Sequence, residues 1–174
     1  MPTEKSKHDD TTGPNLEWEV GSIKGVQVNE MVKHCDQRGW LAEIFRQDSL
    51  DKEIFPVMGY VSVTTPGEAR GPHEHIHQTD FFAFLGPGSL RLRLWDRRAD
   101  SETRGHVMTL NVGEVNPVAV AVPPGVVHGY INISTEVAYV MNFPNRLYAG
   151  KNKQEGIDEI RHENESSSPF SLQD

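Results

Sequence analysis

Cysteine is almost missing, with Cys35 the single one in 174 residues. One thiol makes no internal disulfide, so the chain is expected to fold without covalent staples in a reducing cytoplasm. No apolar run approaches the ~20 residues that a membrane-spanning helix needs. The stretch from Met1 to Asn15 is polar and lacks the apolar core of a secretory signal. Positive charge is in deficit, 17 Lys and Arg against 25 Asp and Glu, a net charge of −8. That balance argues against nucleic acid as the main partner, and the missing apolar run against a membrane. A phosphorylated small molecule stays open, since it needs only a few well-placed Arg residues. No repeat of 20–50 residues is visible, which excludes a solenoid.

The length suits one domain with a sizeable core, and 36% hydrophobic with 24% charged residues fits a globular protein. We expect a polar, disordered N-terminal arm over 1–15 and one domain over 16–174. The alternation of Gly25 to Val32 predicts a strand. Asp36 to Trp40 reads as a turn, Leu41 to Arg46 as a strand, and Ser49 to Ile54 as one short helical turn. Val57 to Thr65 is apolar and β-branched, a strand ended by Pro66-Gly67. Leu90-Arg91-Leu92-Arg93-Leu94-Trp95 alternates as a half-buried antiparallel strand does. Further strands are expected over His106 to Val112, Val115 to Val122, Val127 to Ile133 and Val137 to Phe143. Many short strands with turn signals between them indicate an all-β sandwich or barrel.

The chemistry concentrates in Arg70-Gly71-Pro72-His73-Glu74-His75-Ile76-His77-Gln78-Thr79-Asp80. Alternate side chains of an extended strand share a face, so His73, His75 and His77 are expected to point the same way. Phe81, Phe82 and Phe84 follow, expected as core and barrel wall, and then the turn Gly86-Pro87-Gly88. A second stretch, Pro123-Pro124-Gly125-Val126-Val127-His128-Gly129-Tyr130-Ile131-Asn132, has the form Pro-x-Gly-x-x-His-x-x-x-Asn. The two together resemble the paired signature of the cupin superfamily, whose first motif supplies two His and an acid and whose second supplies another His. The resemblance implies a double-stranded β-helix, the jelly-roll barrel. Asp80 stands where that signature usually has Glu.

Outside these stretches the chain resembles one cupin branch, the epimerases of dTDP-4-keto-6-deoxyhexoses. Asp36-x-Arg38-Gly39-Trp40-x-x-Glu43, Arg70-Gly71-x-His73, Asp96-x-Arg98-x-x-Ser101-x-Thr103-x-Gly105 and His128-Gly129-Tyr130 carry that resemblance, in order, over roughly Asp36 to Phe170. It implies His73 as catalytic base and substrate contacts from Arg38, Glu43, Arg70, Gln78 and His128. It also implies a homodimer in which Arg38 reaches the neighbour's nucleotide phosphates, a role in polysaccharide or secondary-metabolite synthesis, and no required cofactor. The branch's general-acid Tyr falls at Met141, and a thioether donates no proton; the acid would then come from Tyr139, Tyr130 or Tyr60. A Lys of that branch is replaced by Asp80.

Removing a proton beside a ketone needs a base of near-neutral pKa and something to stabilise the enolate oxygen, and His73 and Arg70 suit these needs. The same residues read differently as a metal centre: His73, His75, Asp80 and His128 offer three imidazoles and a carboxylate for Zn, Fe, Mn or Ni. Two alternatives therefore stand beside the epimerase: a metal-dependent cupin, either dioxygenase or isomerase, and a sugar-binding cupin that lost its acid. In the plainest alternatives Arg38 and Glu43 pair on the surface, Trp40 is core, and the sequon Asn132-Ile133-Ser134 is silent.

Overall fold

The computed structural model describes residues 16–173, so the expected arm over 1–15 lies outside the described residues. The strands, numbered in chain order, are β1 (Glu19–Val20), β2 (Gln27–Glu30), β3 (His34–Asp36), β4 (Gly39–Leu41), β5 (Tyr60–Thr64), β6 (Ala69–Glu74) and β7 (Asp80–Phe84). They continue with β8 (Ser89–Asp96), β9 (His106–Gly113), β10 (Val118–Val122), β11 (Val126–Asn132), β12 (Ala138–Asn142) and β13 (Ile160–Arg161). Among the described residues helix is limited to single 3₁₀ turns, at Lys52–Ile54, Lys151–Lys153 and His162–Asn164. None is long and apolar enough to cross a membrane.

Two sheets face each other, in the orders β1-β9-β8-β11-β6-β13 and β2-β10-β7-β12-β5. This is the all-β jelly-roll architecture expected from the sequence. Between the sheets lie Phe82, Phe84, Leu90, Leu92, Leu94, Val120, Val122, Val126 and Val140. The alternation of β8 sends its three leucines into that core, while Arg91 and Arg93 face out. Strands β7 and β10 read instead as continuous apolar runs because both of their faces are covered. Phe81, Ala83, Leu85, Ala119 and Ala121 pack outward against Met31, Ile44, Leu50, Ile54 and Phe143. The outer face of the other sheet is sealed by the C-terminal segment, whose Phe170 and Leu172 cover Trp95, Val127 and Ile131.

Two local expectations fail. The strand expected over Leu41 to Arg46 stops at Leu41, because Ala42 and Ile44 pack on the outer apolar layer without a neighbouring strand to pair with. Strand β6 stops at Glu74, so the period-two alternation from His73 to His77 is broken. The Asp158 carboxylate accepts hydrogen bonds from the backbone N–H groups of Ile76 and His77, both at 3.0 Å, and holds that segment in a turn.

The crossing of β6 over β11 depends on glycine. Gly71 has φ of 79°, and a Cβ there would stand 2.7 Å from the His128 carbonyl oxygen. Only glycine takes that angle freely and lets the two backbones approach so closely. The register slips between His128 and Tyr130 at this point, leaving His73 directly opposite His128.

Candidate active site

Four side chains from both sheets converge at the barrel mouth. His73 on β6, His75 just beyond it, His128 on β11 and Asp80 at the start of β7 place one nitrogen or oxygen each within 4.8 Å of one another. The third imidazole is therefore His128 and not His77, which the turn after Glu74 carries to the cavity wall. Asp80 is 1% exposed. Its Oδ2 lies 3.1 Å from Nε2 of His75 and 3.1 Å from Nε2 of His128. Its Oδ1 accepts from Gln78 Nε2 at 2.9 Å and from Asn142 Nδ2 at 2.9 Å. Asn142 has a second N–H, which it donates to the Tyr60 hydroxyl at 2.8 Å.

The far nitrogens of the imidazoles are also engaged. His128 Nδ1 donates to the Val126 carbonyl at 3.0 Å, and His75 Nδ1 is bonded to the Asp158 carbonyl. Each such bond fixes a tautomer and aims Nε2 at Asp80. His73 Nδ1 faces the Glu159 carboxylate at 3.8 Å, in a strand pair where β13 lies against β6.

Electrostatics separate the two β6 histidines. Burial disfavours charge on His75, but the hydrogen bond and charge of Asp80, with help from the Asp158 carbonyl, outweigh it and raise the imidazole to about 9. Burial, then the neighbouring His128 and His75, push His73 down to about 2. Asp80 is held well below the usual carboxylate range: burial opposes ionisation, and its bonds to His128 and His75 overcome that. The cluster thus holds an imidazolium paired with a carboxylate, and a neutral His73 beside them.

These shifts set a stability profile. His75 is raised above its unfolded value of 6.5, so its contribution is full below pH 6.5 and is lost as pH climbs through about 9. His73 is depressed from 6.5, so below that pH the unfolded chain takes a proton that the folded one refuses. For metal-free protein we expect Tm to fall on both sides of the region near pH 6.5, with His73→Asn relieving the acid side. Calorimetry across pH 4–10 checks this, and a Tm rising steadily from pH 6.5 to 10 would refute the His75 assignment.

A cavity of about 860 Å³ opens over the cluster, lined by Tyr60, His73, His75, His77, Gln78 and the segments 144–151 and 155–159. Among the other residues singled out from sequence, several lie elsewhere. Tyr139 points outward on β12, 39% exposed, since Ala138 and Val140 are the residues of that strand facing the core. Met141 shares the outward face. Arg70 is bound to Thr64 Oγ1 at 3.1 Å and the Val63 carbonyl at 2.8 Å and does not line the cavity. His128 is buried behind it. Arg38 is exposed and bonded to Asp36, and Glu43 pairs with Arg46 at 3.5 Å, so the alternative of an Arg38–Glu43 surface pair is not realised. Trp40 is not core: it is half exposed, with the Lys33 ammonium 4.8 Å from its ring centroid.

The Asp96-x-Arg98 motif proves to be a loop clamp. Asp96 is fully buried and accepts from Arg98 Nε at 2.9 Å, Ser101 Oγ at 2.5 Å and Thr103 Oγ1 at 2.6 Å. Asn132 likewise closes a turn, donating to the Thr64 and Glu136 carbonyls at 2.8 Å each. Sequence reasoning missed Asn142, Asp158 and Glu159. The last two sit in a polar segment with no periodicity, and only the β13–β6 pairing brings them to the site.

Residues 21–161 match the protein family described as dTDP-4-dehydrorhamnose 3,5-epimerase. The chain is 37% identical over 128 residues to "Probable low-salt glycan biosynthesis epimerase Agl13" of Haloferax volcanii, covering 73% of this chain and 81% of that one. It is 38% identical over 108 residues to the spore coat polysaccharide biosynthesis protein SpsL of Bacillus subtilis, covering 62% and 70%. The fold is similar to the crystal structure of a dTDP sugar isomerase from Desulfovibrio desulfuricans, with TM-score 0.74, 24% identity and coverage of 86% and 92%.

Proposed function

The chain belongs to the dTDP-4-dehydrorhamnose 3,5-epimerase family, and on that premise we infer that it is an epimerase of a dTDP-activated 4-keto sugar working by proton abstraction beside the ketone. The observation that carries the residue assignment is His73, a neutral imidazole on the cavity wall with a carboxylate behind it. Its ring is unprotonated, but burial leaves it a weaker base in the free protein than the near-neutral one expected from sequence, so the transfer leans on the carboxylate beside it. Glu159, 3.8 Å from Nδ1, stabilises the imidazolium formed when the proton arrives. The His75 imidazolium, also on the wall, supplies positive charge for the developing enolate oxygen. Gln78 serves less as a substrate ligand than as the group that orients Asp80. The test is to follow the sugar by NMR in D₂O with purified protein: an inverted epimer carrying deuterium beside the ketone supports the reading, and an unchanged sugar refutes it.

A second reading is favoured by the Asp80 geometry. With Nδ1 of both His75 and His128 spent on carbonyls, two Nε2 atoms face one carboxylate oxygen at 3.1 Å. Bonds of ~2.1 Å around one ion would bring ligand atoms to roughly 3–4 Å from each other, close to this arrangement. His73, His75, Asp80 and His128 would hold a divalent Zn, Fe, Mn or Ni, which when bound supplies a Lewis acid for the ketone oxygen. Gln78, Asn142, Val126 and Asp158 already orient those ligands.

Residues 16–174 act as one cupin unit in this reading, and the unit is a homodimer. Hairpin β3–β4 belongs to neither main sheet and carries the exposed Arg38 outward, as a residue serving a neighbour's substrate would be. Light scattering at micromolar concentration should return twice the chain mass; a sharp monomer would refute the dimer.

A further inference from the structure

Epimerisation needs a proton removed on one face of the sugar and another delivered to the opposite face. We propose that Tyr60 is the proton donor opposite His73, and that Asn142 is the residue that positions it; the inference rests on the epimerase reading above.

Tyr60 and His73 line the same cavity but stand on different sheets, Tyr60 on β5 and His73 on β6. A ring bound in that cavity would meet one residue from each sheet, the arrangement that a donor opposite His73 needs. The phenol is held in a particular way. Asn142, 1% exposed, spends one N–H on Asp80 Oδ1 and the other on the Tyr60 oxygen. Turning that amide over would set its oxygen against the Asp80 carboxylate, so the donor orientation is fixed even though Oδ1 is left without a protein partner. Tyr60 consequently accepts the Asn142 bond, and among the described residues the phenol makes no other. Its own O–H is free to point into the cavity. Burial and the nearby Asp80 charge also keep the phenol protonated, pushing it up to about 12.

The other tyrosines fit less well. Tyr130 is buried with its hydroxyl 3.0 Å from Ser62 Oγ, and Tyr139 faces outward. Tyr148 lines the cavity on the 144–151 segment, and among the described residues no side-chain bond aims its hydroxyl.

His73 takes the proton as the C–H bond breaks, and that electron pair enters the enolate with charge on the carbonyl oxygen. The enolate carbon then forms a new C–H bond with the Tyr60 proton, and the O–H pair stays on the phenolate. Solvent returns a proton to Tyr60 and takes one from His73, so nothing else is consumed.

The experiment uses the full chain and a dTDP-4-keto-6-deoxyhexose in D₂O, measuring epimer formed and deuterium entering the unepimerised sugar. Tyr60→Phe should lower epimer formation by about the 10²–10⁴-fold of an acid–base group while exchange falls much less. Asn142→Ala should lower the ratio of epimer to exchange, and in that ratio the double variant should match Tyr60→Phe alone, since the bond from Asn142 to Asp80 bears on both readouts and the bond to Tyr60 on the epimer. Wild-type protein that neither exchanges nor epimerises overturns the epimerase reading and the donor with it. With an active wild type, three results overturn the Tyr60 assignment alone: unchanged epimerisation in Tyr60→Phe, equal loss of exchange and epimer, or a selective loss that follows Tyr148→Phe.

Discussion

Replacing His73 by Asn is expected to suppress deuterium exchange beside the ketone by about 10²–10⁴-fold, the range of a general base. The variant keeps a polar side chain at the cavity wall and removes the basic nitrogen. Folding should survive, since His73 is uncharged in the metal-free protein and no buried partner depends on its proton. The neighbouring His75–Asp80–His128 contacts do not pass through it. Metal content separates the two readings. If His73 acts only as base, metal bound per chain stays unchanged while exchange collapses; as a ligand, metal and activity fall together. Exchange at the wild-type rate would remove His73 from the mechanism.

Asp80→Asn carries the largest expected cost in stability. The carboxylate is buried and faces two imidazoles at 3.1 Å each. Removing one member of such a buried pair typically costs about 3–5 kcal/mol, because the charge left behind has no counter-ion. His75 softens that cost by giving up its proton. The loss should therefore be largest near neutral pH and shrink above pH 9, where wild-type His75 is itself losing its proton. Urea unfolding of chelator-treated protein at pH 7 and pH 10 measures both values. The variant should also show a smaller rise in Tm on adding Zn²⁺ or Mn²⁺ than the wild type does. A wild-type stability at pH 7 would mean that Asp80 is not the counter-charge of this cluster.

How far the sequence was legible follows from how far each signal is local. Strand β8 announced itself, because its leucines alternate into the core while Arg91 and Arg93 lie on the half-buried outer face. His73, His75, Asp80 and His128 were found by motif, and the barrel brings all of them together. The position where the branch has its acid shows what register decides. A count along the chain ends on Met141, yet in a strand one residue decides the face, and β12 turns Asn142 inward while Met141 and Tyr139 look out. The proposed donor Tyr60, one of the three tyrosines left open by the sequence, comes from the neighbouring strand. His77 was misread because the strand ends early, and what ends it is Asp158, more than eighty residues further on. Glu159 had no local signal, and neither did β1 or β13, two residues each, which exist only because a longer strand lies beside them. Trp40 and Arg38 are legible as a motif, but their hairpin is exposed and joins neither main sheet.

The most direct test of proton abstraction by this protein is deuterium incorporation into a dTDP-4-keto-6-deoxyhexose by chelator-treated wild-type protein in D₂O. Proton abstraction by His73 predicts deuterium beside the ketone, together with an inverted epimer, at a rate that His73→Asn abolishes. A sugar recovered undeuterated, with restored metal making no difference, would contradict the epimerase assignment and leave a cupin that binds its ligand without turning it over.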